Sequence, residues 1–365
     1  MAEVNAGDRP PGRRVWPVRR RPAPEDIAVQ EIAVQEAADE RPPVLDPEPP
    51  PRLNIAAVRL GALGLALVLA LIVALIRLFG GGPPSVADLR TQAGVDGWSV
   101  LPIGVKADQP GTAYRNADGT WSGFDIDIAY MIAEDLGFGR GEVRFYSMQS
   151  EDRARMQATD AGGGRVPVQM VIASYSITPA REAMAGVTFS APYLFTEQSV
   201  LTLAKDRFRV TALSDLSGRQ VCSLSTSTSI TAAEQAGAIV HKRNQMQECI
   251  EDMRNDRVDA VTTDAAILAG YKDRFPAEFD HWDLGLDTTE AYGVNVGENE
   301  ALRTLVDLTL YRSLKDPRDD RWELAYERNL QTETVRNGRT PIAVAQQPDV
   351  PEPRVRELPW EDVKP

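Results

Sequence analysis

The chain has 365 residues, enough for two domains with extensions, and a formal charge of −13 from 53 acidic and 40 basic side chains. Residues 1–79 hold ten arginines, no lysine and ten acidic residues, so the negative excess lies entirely after them. This balance argues against a nucleic-acid partner, which needs a basic surface. Two cysteines, two histidines, no Cys-x-x-Cys and no His-Glu-x-x-His leave no metal site or cofactor to expect.

Residues 1–55 are rich in Pro, Arg, Ala and Glu, too poor in apolar surface to offset chain entropy, and read as a disordered arm. Residues 60–76 carry no charge and lie between Arg59 and Arg77. As a helix, that run spans roughly 26 Å, and with both arginines snorkelling it matches a bilayer core of about 30 Å. Residues 56–79 are therefore expected to form one transmembrane helix. A cleaved signal peptide is the rival, but the preceding segment is too long for an n-region, and Gly80-Gly-Gly-Pro-Pro is not an Ala-x-Ala site. The arginine cluster at 13–21 favours a cytoplasmic N-terminus and an extracytoplasmic remainder, in a single-pass cell-membrane protein.

Residues 80–97 read as a linker, with the folded part beginning near Trp98. From there apolar runs alternate with helical patterns, which predicts an α/β fold with parallel sheets covered by helices. A first strand is expected at 100–105, a turn at Asp118-Gly119, and a helix at 124–136 with Asp125 and Asp127 in its first turn and Gly137 closing it. The run 168–173 reads as a buried strand. It leads into Ser-Tyr-Ser-Ile-Thr-Pro-Ala-Arg at 174–181, which places hydroxyls and a guanidinium at a sheet edge where ligands sit. Arg181 there is either the start of a surface helix or a two-point carboxylate clamp. Further strands are expected around Leu201, Val221, Ile239-Val240, 258–261 and 292–296, and helices at 300–315 and 319–330. Residues 331–365 read as a disordered tail. His241 and His281, in polar stretches, read as surface residues.

Four stretches in order carry a resemblance: Ile-Gly-Val-Lys-Ala-Asp-Gln-Pro-Gly at 103–111, Gly-Phe-Asp-Ile-Asp-Ile-Ala-Tyr-Met-Ile-Ala-Glu-Asp-Leu-Gly at 123–137, the 174–181 stretch, and Val-Asp-Ala-Val-Thr-Thr-Asp at 258–264. Over about 98–330 the chain resembles the polar amino-acid-binding proteins of ABC transporters, solute-binding family 3, and within it the actinobacterial glutamate- and glutamine-binding branch. The resemblance implies a two-lobe, type II periplasmic-binding-protein-like domain. Lobe one would be 98–194 with 291–330 and lobe two 195–290, joined near Tyr193 and Tyr292-Gly293.

It also implies roles. Arg181 would clamp the α-carboxylate of an amino acid, Ser176 would add its hydroxyl, and the Ser174 carbonyl would receive the ammonium. Asp264 would pair with the ammonium from the other lobe; read alone, it is also an N-cap candidate before Ala265. Thr226, Ser227 and Thr228 would hold the carboxylate through backbone amides, although threonine stands at 226 and 228 where the family commonly has glycine. Lys106 would select the ligand's side chain, with Arg115 and Arg153 as rivals that otherwise read as solvated surface charges. Cys222 and Cys249 would form a disulfide.

The function so implied is a membrane-tethered receptor, not an enzyme, that binds glutamate, aspartate, glutamine or asparagine and presents it to an ABC permease. A sensor signalling to a membrane partner through its cytoplasmic arm is the alternative. A cyclohexadienyl-dehydratase-like enzyme is a more distant one.

Overall fold

The computed structural model describes residues 54–79, 82–284, 289–331 and 346–356. Of the expected disordered arm and tail, 1–53, 332–345 and 357–365 lie outside the described residues. The chain divides into two units, Met1–Leu71 and Ile72–Pro365. The helix Ile55–Phe79 crosses that boundary in sequence. Its 55–76 stretch has mean hydropathy 2.5, with no buried share, and is long and apolar enough to cross a membrane.

The second unit holds two five-stranded sheets. In lobe one Leu101–Val105 is flanked in parallel by Val143–Ser147 and Met170–Val171. Gln157–Thr159 and Arg165–Pro167 extend the edge antiparallel. Leu101, Ile103 and Val105 are fully buried, as the central strand of a sheet covered on both faces requires. The helix Phe124–Asp135 packs on this sheet, and glycines fix both its ends. A Cβ at Gly123 would sit 2.3 Å from the Thr112 carbonyl oxygen, and Gly137 takes the left-handed φ of 86° that closes the last turn.

In lobe two Gln220–Leu224 lies between Ile239–Arg243 and Ala260–Asp264, all parallel. Gln198–Leu203 runs antiparallel between Ala260–Asp264 and Phe279–Asp283. The helices Met246–Arg254 and Ala265–Arg274 cover it. The disulfide Cys222–Cys249 ties a core strand to the first of these helices, with a Cα–Cα separation of 5.4 Å. Two strands, Leu194–Thr196 and Glu290–Tyr292, pair antiparallel and carry the chain between the lobes. The chain then returns to lobe one as the helices Glu300–Lys315 and Arg321–Asn329.

Three expectations need correction. The fold begins before Trp98: Ser85 and Asp88 form a capping box for the helix Val86–Ala93, whose Leu89 and Ala93 enter the lobe-one core. Eight residues with one strong apolar anchor give a weak periodic signal. Residues 346–356 are not a free tail: Val350 is buried in the same core, Gln347 Nε2 donates to the Leu310 carbonyl at 2.8 Å, and the Arg356 amide donates to Pro84 at 2.9 Å. Proline-rich sequence can pack as an extended strap without any helical or strand pattern. His281 is buried rather than at the surface, its Nε2 hydrogen-bonded with Ser199 Oγ at 2.7 Å across a strand pair; His241 is half-buried.

Candidate functional site

The site starts from a bend. After Met170–Val171 the chain reaches Ser174, which takes a left-handed φ of 46° that non-glycine residues rarely adopt. Asp125 holds this bend: its Oδ2 accepts the Ser174 amide at 2.8 Å and the Ser174 hydroxyl at 3.1 Å, while Oδ1 accepts Tyr193 OH at 2.9 Å. Burial pushes the Asp125 carboxyl up to about 6, opposed by those donors. The segment 291–293 then pairs with 175–177, through Ile177 N to Ala291 O at 2.7 Å and Gly293 N to Tyr175 O at 3.0 Å. Both clamps aim Ser174 and Ser176 at the gap between the lobes.

Arg181 lies in the short helix Pro179–Glu182, capped by Thr178. Its side chain turns inward: Nη1 donates to Ser176 O at 2.6 Å and Nη2 crosses to lobe two, donating to Thr226 O at 2.7 Å. Arg153, in the helical turn Ser150–Arg155, is buried beside it. Its Nε donates to Ser150 O, and Nη1 to Ser174 O, both at 3.1 Å; Nη2 donates to Thr226 Oγ1 at 3.3 Å. Both guanidiniums lie against the Tyr175 ring, 4.4 Å and 4.9 Å from its centroid for Arg153 and Arg181. Burial, then the charge of Arg181, draws Arg153 down to about 10.

Asp264 ends the strand Ala260–Asp264 and stands at the N-cap position of Ala265–Arg274, but its side chain caps nothing. Oδ2 accepts Tyr292 OH at 2.5 Å, while Oδ1 is buried with no hydrogen-bond partner. Burial, then the charge of Glu290, pushes this carboxyl up to about 7 against the pull of Tyr292 and both arginines. Glu290 itself accepts the Thr228 hydroxyl at 2.7 Å.

Arg153, Ser174, Ser176 and Arg181 of lobe one, with Ser227, Thr228 and Asp264 of lobe two, line one crevice of about 10 Å³. That is room for about a single water. The crevice sets two guanidiniums on one wall against a carboxyl group on the other.

Lys106 stands elsewhere. It is buried, donates from Nζ to Ser150 Oγ at 2.7 Å, and does not border the crevice. Burial, then Arg153, draws it down to about 7. Thr226 bonds both arginines but is not among the crevice-lining residues; its φ of 65° is left-handed. Arg115 is exposed over Trp121, whereas Arg153 corrects the surface reading. The sequence reading had no place for Gln109, which lines the crevice, or for the supporting Tyr175, Tyr292, Glu290 and Asp125. Their traces in the sequence are positional: Gln109 within the 103–111 stretch, Asp125 in the first turn of a helix and Tyr292 at the expected lobe joint.

The family model described as bacterial extracellular solute-binding proteins, family 3, matches residues 101–318. The chain belongs to this family. Curated relatives include the glutamate-binding protein GluB of Corynebacterium efficiens, 33% identical over 213 residues, covering 55% of this chain and 69% of that protein. The glutamine-binding protein GlnH of Bacillus subtilis is 28% identical over 225 residues, covering 60% and 77%. Among solved structures, an ancestral arginine-binding protein bound to glutamine has a TM-score of 0.53 at 27% identity, covering 63% of this chain and 97% of that one. The L-cysteine receptor of Neisseria gonorrhoeae has a TM-score of 0.58 at 22% identity, covering 73% and 100%, and speaks for the fold alone. The two-lobe α/β architecture is thus that of type II periplasmic binding proteins.

Proposed function

We propose that this family 3 solute-binding protein is a membrane-tethered extracytoplasmic receptor for a polar amino acid, with acidic amino acids favoured, and that it hands its ligand to an ABC permease. The observation that carries this reading is the crevice shared by Arg181 and Arg153 from one lobe and Asp264, with its unpartnered Oδ1, from the other. A ligand α-carboxylate would take the Arg181 donors from Thr226 O, and its ammonium would meet Asp264. Charge-assisted bonds of this kind, made in a dry cleft, are roughly twice as strong as neutral ones. A second carboxylate on the ligand would meet Arg153, with Lys106 adding positive charge from behind Ser150.

The printed names of GluB and GlnH support glutamate and glutamine as first candidates. The apolar helix Ile55–Phe79 supports tethering, and the arginine cluster at 13–21 supports a cytoplasmic N-terminus. A thermal-shift screen of the full chain in detergent against the twenty amino acids is the test. Stabilisation by glutamate, aspartate, glutamine or asparagine supports the reading. Stabilisation by none of them removes it.

A further inference from the structure

Outside the crevice the two lobes touch at a second place. The lobe-one hairpin Asp108–Gln109 with Ala113–Arg115 turns through Pro110 and Gly111, and that turn lies on the lobe-two helix Ala265–Arg274. The contact is backbone to backbone. A Cβ added at Gly270 would sit 1.7 Å from the Pro110 carbonyl oxygen and 3.0 Å from the Gly111 nitrogen. Gly111 itself has a φ of 81° and its own Cβ position lies 3.2 Å from Gly270 Cα. Polar bonds surround this point. Tyr271 OH donates to the Asp108 carbonyl, the Gln247 amide donates to Asp108 Oδ2 at 3.0 Å, and the Arg274 guanidinium lies 4.4 Å from the Tyr114 ring centroid.

Gly270 is otherwise misplaced. It sits inside a ten-residue helix, where glycine is less favourable than alanine, and its φ requires nothing special. Helical geometry alone favours a side chain here; the Pro110 carbonyl forbids it. The conflict exists only when the lobes are together, because the two partners belong to different lobes.

We propose that Gly270 and the Pro110-Gly111 turn form a closure lock, which sets ligand affinity from outside the crevice by permitting the last approach of the lobes. This rests on the cleft reading above, in that ligand stabilises the closed form. It adds a positioning residue that never meets the ligand. Any side chain at 270 holds the lobes apart, so ligand contacts from the second wall are made imperfectly or not at all, and bound ligand escapes sooner.

The test uses the full chain in detergent, spin-labelled at Glu142→Cys in lobe one and Gln235→Cys in lobe two, both exposed positions. The native cysteines are joined to each other and leave no free thiol to compete. Interlobe distances are measured with and without glutamate in the otherwise wild-type protein, in Gly270→Ala and in Tyr271→Phe. Gly270→Ala should lose the short-distance population and, in calorimetry, weaken ligand binding by about tenfold or more, chiefly through faster dissociation. It should not unfold, since alanine is the better helix former, so its melting temperature without ligand should be equal or higher. Tyr271→Phe should shift both readings in the same direction but less. If Gly270→Ala keeps the short distance and binds within twofold of the parent, the lock is refuted. If the parent binds none of the twenty amino acids, the site reading falls instead, while the distance comparison still decides the lock.

Discussion

Asp264 is expected to weaken the fold that it serves. Burial, then the charge of Glu290, holds its carboxyl at about 7 rather than its ordinary 3.8. At about 1.36 kcal/mol per unit, this corresponds to about 4 kcal/mol of pH-dependent stability. The sign follows from proton affinity. The folded chain holds this proton more tightly than the unfolded chain, so the group's contribution is most favourable at acid pH and is lost as pH rises from about 4 through about 7. Asparagine has nearly the same shape, does not titrate, and can still accept Tyr292 OH.

The expected result is that Asp264→Asn unfolds at higher urea concentration than the wild type at pH 8, while binding no amino acid. Its advantage should grow by about 2–3 kcal/mol between pH 5 and pH 8, because only the wild type ionises a buried carboxyl over that range. Urea unfolding of the full chain in detergent, followed by tryptophan fluorescence at four pH values, measures this directly. Asp125, Glu197 and Lys106 also titrate within the fold, with values of about 6, 7 and 7, but they are common to both proteins and cancel in the difference. Parallel stability curves, agreeing within about 0.5 kcal/mol across the range, would refute the argument that burial and Glu290 hold this proton.

Three further outcomes follow from the same geometry. An ammonium brought beside Asp264 lowers its proton affinity again, so ligand binding near pH 6 should expel up to one proton and tighten as pH rises through about 7; calorimetry in two buffers of different ionisation enthalpy reads this, and buffer-independent heats contradict it. Arg181→Ala should reduce affinity by about 3–5 kcal/mol, since it leaves a ligand carboxylate without its partner, whereas Arg153→Ala should cost about 1.5–3 kcal/mol and act more on glutamate than on glutamine. Equal losses for the two ligands in competition binding would remove Arg153 from side-chain selection. Replacing Cys222 and Cys249, 27 residues apart and both fully buried, by alanine and valine should lower stability by about 3–4 kcal/mol in denaturant unfolding, and non-reducing peptide mapping should find them joined in the parent.

Much of the architecture was legible because two of its signals are local. Apolar runs such as 100–105 and stripes such as 124–136 follow from burying a strand on both faces or a helix on one, and they correspond to Leu101–Val105 and Phe124–Asp135. What sequence could not show is what depends on distant partners. Arg153 looks like any arginine in a Ser-Glu-Asp-Arg-Ala-Arg run until the carbonyls of Ala173 and Ser174, some twenty residues away, cage it. His281 looks solvated until Ser199 lies across the strand pair. The strap at 346–356 is composed like a free tail, and its partners at Ser85, at Leu310 and in the lobe-one core are all distant in sequence. Lys106 directly follows the strand Leu101–Val105, as its sequence position implies, but nothing along the chain reveals that its amine meets Ser150.

Two guanidiniums sharing one aromatic ring need an explanation, because like charges in a dry crevice repel. Here they are tolerated through acceptors. Ser150, Ala173, Ser174, Ser176 and Thr226 present carbonyls to them, and four of the five belong to lobe one. The Ser174 bend is what turns two of these carbonyls inward, and Asp125 holds that bend through its amide and hydroxyl. From lobe two, Thr226 adds one carbonyl and one hydroxyl, and the Asp264 carboxyl acts on both guanidiniums through space. Carbonyl dipoles answer a full charge only in part, which is why the proposed ligand carboxylate would find the pair incompletely neutralised. The −13 charge of the chain does not contradict this, since exposed charges are screened beyond about 8–10 Å while the crevice acts at contact distance. The affinity proposed for an anionic group would thus be a local property, set by where the 174–176 backbone points and not by the overall composition.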